Sequence, residues 1–265
     1  MLLDPSPDQE FFRDTTSRFL TDRVPVAEIR RLRHDPAGFG AEYWRSGAEL
    51  GWTSLLAGDA TGGGSIGDYG LVDLTLVAYE FGTHAAPGPL VPTNVVADLL
   101  SRHAEAHGDV LASLVEGTAT AAWCFEEPRA GGKVASDGVE ITVDGDEVVV
   151  RGTKRPVEAA VSADFLLVTG RSGDGLSHVL VPREAPGVRI VPLKSIDITR
   201  RYAAYYFEGP GEAGASPEAT VAPSSYLKLS AAGVEYARQA KPCLSWSSIA
   251  TAHITRDKRF NSSLR

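Results

Sequence analysis

The chain has 265 residues, 43% hydrophobic and 23% charged, with a net charge of −8 and a pI near 5.3. That length holds one large domain or two modest ones with a proper core, and the composition is that of an ordinary globular protein. The acidic balance argues against nucleic acid or an anionic membrane as a standing partner, and no run approaches the ~18 apolar residues of a membrane span.

Residues 1–118 read as an all-helical domain. Asp4-Pro5-Ser6-Pro7-Asp8 is a helix start, with Pro tolerated in the first turn and acidic groups favourable at the positive end of the dipole. Phe11, Phe12, Thr15, Phe19 and Leu20 recur at helical spacing, and Val26, Ile29 and Leu32 continue it. Trp44 and Leu50 lie at the end of a further helix, closed by Gly51. Trp52–Leu56 is an apolar linker, Gly62-Gly63-Gly64 a loop, and Asp68 the expected cap of the next helix. There Leu71, Leu74, Val77, Ala78 and Phe81 form a broad apolar stripe. Pro87-Gly88-Pro89 breaks the chain before two more helices, over 90–100 and 110–115. TGGGSIG has no Lys-Ser or Lys-Thr opening the following helix, so it reads as a plain loop and not a phosphate cradle. His103 and His107 stand four apart but have no third ligand in sight, so a solvated helix end is expected and no metal site.

Residues 119–222 read as a β domain. The apolar run Ala119–Phe125 comes first. Val139–Val143 then folds back on Val148–Val150 across Asp144-Gly145, a hairpin signal because Gly takes positive φ without strain. Val188–Leu193 and Tyr202–Phe207 are further strands. His178 reads as structural, since no nucleophile arrangement accompanies it. Asp197 and the pair Arg200–Arg201 read as a loop-fixing ion pair, with contact to a phosphate group as the alternative. Residues 223–265 begin as a helix over 227–239, which Lys241-Pro242-Cys243 interrupts. Cys124 and Cys243 make no framework and have no metal spacing around them, so both are expected as small buried hydrophobes in a reducing compartment. The opening MLLDPSPDQEFF lacks a secretion signal's basic and apolar segments, and a cytoplasmic location is expected.

Leu50–Leu56, Gly62–Gly64, Ala78–Gly82, Pro87–Thr93, Phe125-Glu126-Glu127-Pro128 with Ala130-Gly131, Gly152-Thr153-Lys154 and Ala163-Asp164 resemble the flavin-dependent acyl-CoA dehydrogenases, especially the actinobacterial kind with heteromeric members in steroid and lipid catabolism. The resemblance spans roughly residues 5–210. It implies an α+β architecture: an N-terminal helical domain, a β-barrel-like middle domain and a C-terminal helical bundle, of which residues 223–265 would be a short, truncated or divergent remnant. It implies FAD, with the ring contacted at Phe125, Glu126 and Gly132 and at Val157 and Glu158. It implies α,β-dehydrogenation of an acyl-CoA thioester, an electron-transfer flavoprotein as acceptor, and a homo- or hetero-oligomer with another acyl-CoA dehydrogenase subunit. The family's catalytic base lies in the bundle, so no catalytic residue is named.

This sequence departs from the family pattern where it matters for the ring. The family has Thr where Glu126 stands, Ser-Asp at Gly132-Lys133, and Trp-Ile-Thr at Pro156-Val157-Glu158. Two functions follow: a flavoprotein dehydrogenase, incomplete on its own, or a non-catalytic partner subunit or degenerate remnant of a heteromeric one.

Overall fold

The computed structural model describes residues 4–67, 69–128, 138–144, 147–159, 161–173, 175–207, 219–221 and 225–228. Among the described residues six α-helices come first: α1 (Pro7–Arg23), α2 (Val26–Leu32), α3 (Ala41–Glu49), α4 (Gly70–Thr83), α5 (Leu90–Ser101) and α6 (Ala104–Val115). Nine strands follow among the described residues: β1 (Ala121–Cys124), β2 (Val139–Asp144), β3 (Glu147–Glu158), β4 (Phe165–Ser172), β5 (Gly175–Pro182), β6 (Val188–Leu193), β7 (Tyr202–Phe207), β8 (Ala219–Val221) and β9 (Tyr226–Lys228). The α+β order expected from the sequence is therefore the observed one. The strands follow the open path β6-β7-β3-β2-β4-β5-β9, with β1 beside β4 and β8 beside β3, and the sheet is a curled half-barrel.

By packing, the chain divides into two compact units. One comprises residues 1–123, 157–166 and 190–204, the other 124–156, 167–189 and 205–265.

The core of the first unit gathers around Trp52. Its ring meets Phe81, Phe19 and Tyr43 edge-on at 4.9, 5.2 and 5.9 Å, within the range where such pairs add to area burial. Its indole N–H donates to Thr16 Oγ1 at 3.1 Å, and its carbonyl accepts Asn94 Nδ2 at 2.7 Å. Gly47 has to be glycine here, because a Cβ would lie 2.1 Å from Trp52 Cε3. Gly51 closes α3 as expected, at φ +97°, its N–H donating to Ala48 O at 2.8 Å.

The start of α1 is the expected one. Ser6 Oγ accepts the Gln9 N–H while Gln9 Oε1 accepts the Ser6 N–H, a closed capping box with Pro7 in the first turn. The same Gln9 reaches Asp73 of α4, donating from Nε2 at 2.7 Å. Asp73, fully buried, also accepts the backbone N–H groups of Ile66 and Gly67 at 2.7 and 3.1 Å. One carboxylate thus ties α1, the glycine loop and α4 together.

Several expectations need correction. Phe11 and Val26, placed in the apolar stripes, are exposed: α1 packs through Phe12, Thr16, Phe19 and Leu20 instead. His103 is exposed as expected, but His107 is buried, because α6 breaks helical geometry at that residue (φ −132°, ψ 18°). Burial, and to a smaller extent His103, holds its imidazole below the usual histidine range. No cluster of three or more metal-ligating side chains occurs among the described residues. Leu227 and Lys228, read as the start of a helix, lie in β9, which pairs antiparallel with β5. Asp68, the expected cap of α4, and Cys243 lie outside the described residues, as does the rest of the proposed C-terminal helix.

In the second unit β2 and β3 form the expected hairpin, in register from Val139↔Gly152 to Asp144↔Glu147. That register leaves residues 145 and 146 between the strands; both lie outside the described residues. Ile141, Val148 and Val150 face inward, and along β4 and β5 the runs Leu167-Val168-Thr169 and Ser177–Val181 are buried without alternation. Strands covered on both faces lose the period-two pattern. His178 is structural as expected, buried with Nδ1 2.8 Å from Thr169 Oγ1.

Asp73→Ala leaves two backbone amides and the Gln9 side chain without their acceptor in a buried place. It is expected to cost about 3 kcal/mol, the usual scale for such orphaned donors, read as a lowered urea midpoint at unchanged slope.

Candidate functional site

In the second unit the chain leaves β1 at Cys124 and runs through Phe125, Glu126, Glu127 and Pro128. A lysine holds this segment. Lys154, on the same face of β3 as the buried Val148 and Val150, has no exposed surface. Its Nζ donates to Phe125 O at 3.0 Å and to Glu127 Oε1 at 2.9 Å. One residue on, the Arg155 N–H donates to Glu126 O at 2.8 Å. Gly138 leaves room for the carboxylate, since a Cβ there would meet Glu127 Oε2 at 2.4 Å. Burial lowers the Lys154 pKa, with Glu127 pulling it back up. Burial pushes the Cys124 thiol up to about 12, with Lys154 opposing, so it is no thiolate nucleophile. The Glu126 carboxyl is raised by burial, Lys154 again opposing and Glu127 adding to the rise.

In the first unit Val157 is buried and Glu158 half-buried at the end of β3. Glu158 Oε1 accepts from Arg200 Nη1 at 3.1 Å, and Asp197 Oδ2 stands 3.9 Å from Arg200 Nε. Asp197 is fixed in turn by the Thr199 N–H and hydroxyl at 2.8 and 2.7 Å. Ala159, at φ +60°, donates its N–H to Arg201 O at 2.8 Å. Arg201 turns its guanidinium the other way, onto the carbonyls of Leu32, Arg33 and Asp35 past the end of α2. The loop-fixing ion pair of this stretch is formed, though Glu158 is the nearer partner.

The expected site residues thus fall into two sets. Phe125 and Glu126 are held by Lys154 and Arg155, while Val157 and Glu158 are consecutive in β3, with Glu158 held by Arg200. Gly132 lies outside the described residues. Lys154 was not expected as a site-forming group, and Arg200 was expected with Asp197 and not with Glu158. Strand parity marks Lys154, because it shares a face with two inward valines; nothing local marks Arg200 as the partner of a residue 42 positions earlier.

Residues 6–115 match the family model described as the acyl-CoA dehydrogenase N-terminal domain. That stretch, about two fifths of the chain, is an acyl-CoA dehydrogenase N-terminal domain. Acyl-CoA dehydrogenase IpdE1 of Mycobacterium tuberculosis is 33% identical over 97 residues, which is 34% of this chain and 25% of that protein. The ChsE4–ChsE5 complex of Mycobacterium tuberculosis has the same fold, with a TM-score of 0.72 at 20% identity, covering 88% of this chain and 59% of that one. A glutaryl-CoA dehydrogenase of Mycobacterium smegmatis in complex with FADH2 aligns with a TM-score of 0.71 at 16% identity, over 89% of this chain and 59% of that one. This chain thus spans a quarter to about three fifths of the length of these relatives.

Flavin is the cofactor this family implies, and the donor set can be tested against it. The described side chains at the implied ring positions are Phe125, Glu126, Val157 and Glu158. Two are apolar and two are carboxylates, which when ionised accept hydrogen bonds and donate none. Glu158 is already engaged by Arg200. A ring whose polar edge needs donors, and which gains negative charge on reduction, does not fit this set.

Lys154→Met leaves Glu127 buried and unpaired. It is expected to destabilise the protein by about 3–5 kcal/mol, and Glu127→Leu added to it is expected to restore much of the loss, both read by chemical denaturation. Glu158 titrates above its ordinary value of 4.5 because burial disfavours the charge, with Arg200 opposing and Asp197 adding to the rise. The folded state therefore holds this proton to higher pH than the unfolded chain. That contribution to stability is fully present below the unfolded value and is lost as pH rises through the folded one. Glu158→Gln is accordingly expected to flatten the stability profile in the interval just above pH 4.5, measured by denaturant midpoints across pH.

Proposed function

We propose that this chain is a subunit of a heteromeric acyl-CoA dehydrogenase. The assembly introduces an α,β double bond into an acyl-CoA thioester and passes the electrons to an electron-transfer flavoprotein. In this reading the flavin and the proton-abstracting carboxylate belong to the partner subunit, a second acyl-CoA dehydrogenase chain. The present chain contributes the helical N-terminal domain and the sheet domain.

One observation carries the proposal: both polar side chains at the implied ring positions are carboxylates, and Glu158 is paired with Arg200 inside its own unit. The fold shared with the ChsE4–ChsE5 complex supports a heteromeric setting. A cytoplasmic location accords with it, and no described helix is long and apolar enough to cross a membrane. A second reading, in which this chain carries its own FAD, is favoured by the fold it shares with the glutaryl-CoA dehydrogenase in complex with FADH2.

Purification separates the two. Expressed alone, the chain is expected to be colourless; co-expressed with a second acyl-CoA dehydrogenase chain of the same organism, it is expected to co-purify as a yellow complex that reduces an electron-acceptor dye when given acyl-CoA. A yellow protein with a flavin absorption band, obtained from this chain alone, would establish the second reading instead.

A further inference from the structure

We infer that Glu158 and Arg200 close the flavin position of this chain with the chain's own charges, and that Glu158 is the residue whose removal reopens it. The inference deepens the reading of this chain as the subunit without flavin, and rests on it. It concerns only the Val157–Glu158 side of the implied site, which lies within the first unit.

The carboxylate at this position is held in place. Glu158 Oε1 takes a hydrogen bond from Arg200 Nη1 at 3.1 Å, and Asp197 flanks the same guanidinium at 3.9 Å. The backbone just beyond is pinned as well. Ala159 sits in the left-handed region, its N–H is bonded to Arg201 O, and its carbonyl accepts the N–H groups of Ser162 and Ala163 at 3.2 and 3.1 Å together with the Ser162 hydroxyl at 3.2 Å. The end of β3 therefore cannot swing to carry Glu158 aside without breaking several bonds at once. Beside the pair lies a cavity of about 20 Å³, walled by Phe39, Pro89 and Ser162. That is smaller than the roughly 300–1,000 Å³ of pockets that bury a drug-sized ligand.

The chemistry of the pair points the same way. The oxidised isoalloxazine offers acceptors along its N5–C4 carbonyl edge, and an ionised carboxylate has no proton to give them. A ring seated there would set acceptor against acceptor, and on reduction negative charge against negative charge. Moving Glu158 away from Arg200 would instead strand a half-buried carboxylate without its counter-ion. A hydroxyl or amide at position 158 removes both obstacles and adds a donor.

The test uses the full chain purified without added flavin and titrated with FAD, following flavin fluorescence and the visible absorption band. Wild type is compared with Glu158→Thr, with Glu158→Gln, and with the surface control Glu28→Gln, whose partner Arg31 lies on α2. Circular dichroism establishes that each variant is folded, and the nearly isosteric Gln variant carries the test if the Thr variant does not fold. The expected result is no saturable binding by wild type or control, and binding by both Glu158 variants at least about tenfold tighter, or ~1.4 kcal/mol. Stoichiometric flavin on the wild-type chain would overturn both this inference and the reading that the partner supplies the cofactor. A flavin-free wild type with both Glu158 variants unchanged would overturn the inference alone.

Discussion

The guanidinium of Arg201 is the fixed point of the first unit. Past the end of α2 the backbone carbonyls have no helical N–H to meet, and α2 has only seven residues, too short to hold itself together. Arg201 supplies the donors. Its Nη2 reaches Leu32 O at 2.7 Å and Arg33 O and Asp35 O at 3.3 Å, and its Nη1 reaches Ile198 O at 2.7 Å. A cation at a helix C-terminus is also favoured by the dipole. Gly38, at φ +78°, passes so close that a Cβ would lie 3.1 Å from Arg201 Cζ. The Arg201 carbonyl accepts the Ala159 N–H, so the place of Glu158 is set by the end of a helix more than a hundred residues earlier in the chain.

The two ion pairs of the candidate site differ in kind. Lys154 and Glu127 are sealed off, with side-chain exposures of 0% and 6%, whereas Arg200 and Glu158 keep about a third of theirs. A sealed pair gains little net stability, because desolvation offsets most of the attraction, yet losing one partner is costly. Such a pair acts chiefly as a geometric constraint, and here it fixes the carbonyl of Phe125 and the chain beyond it. A half-exposed pair is cheaper to rearrange and more open to solvent screening. That contrast makes the second pair the one on which a single substitution can change what is bound.

Much of the fold was legible because local rules and packing agree. The capping box at Ser6 and Gln9, the closure of α3 by Gly51 and the hairpin of Val139–Val150 all stand in the structure as the sequence implied. The departures share a cause, which is that periodicity records only one chain segment at a time. Phe11 and Val26 keep apolar spacing but have nothing packed over them. His107 looks solvated by its polar neighbours, yet a break in α6 turns it inward. Leu227 and Lys228 are drawn into a strand by β5, which no helical pattern within 227–239 could disclose. The site followed the same division. Motif residues nominated its positions, while the pairing of Glu158 with Arg200 depends on a chain reversal that brings two distant stretches together.

The absence of any exposed surface on Lys154 also makes it a silent amine. An acylating reagent in solution reaches a lysine only when its nitrogen is both accessible and unprotonated, and in the native protein this one meets water only when the chain around it opens. The rate at which that single side chain becomes labelled is then a clock for the opening of the second unit.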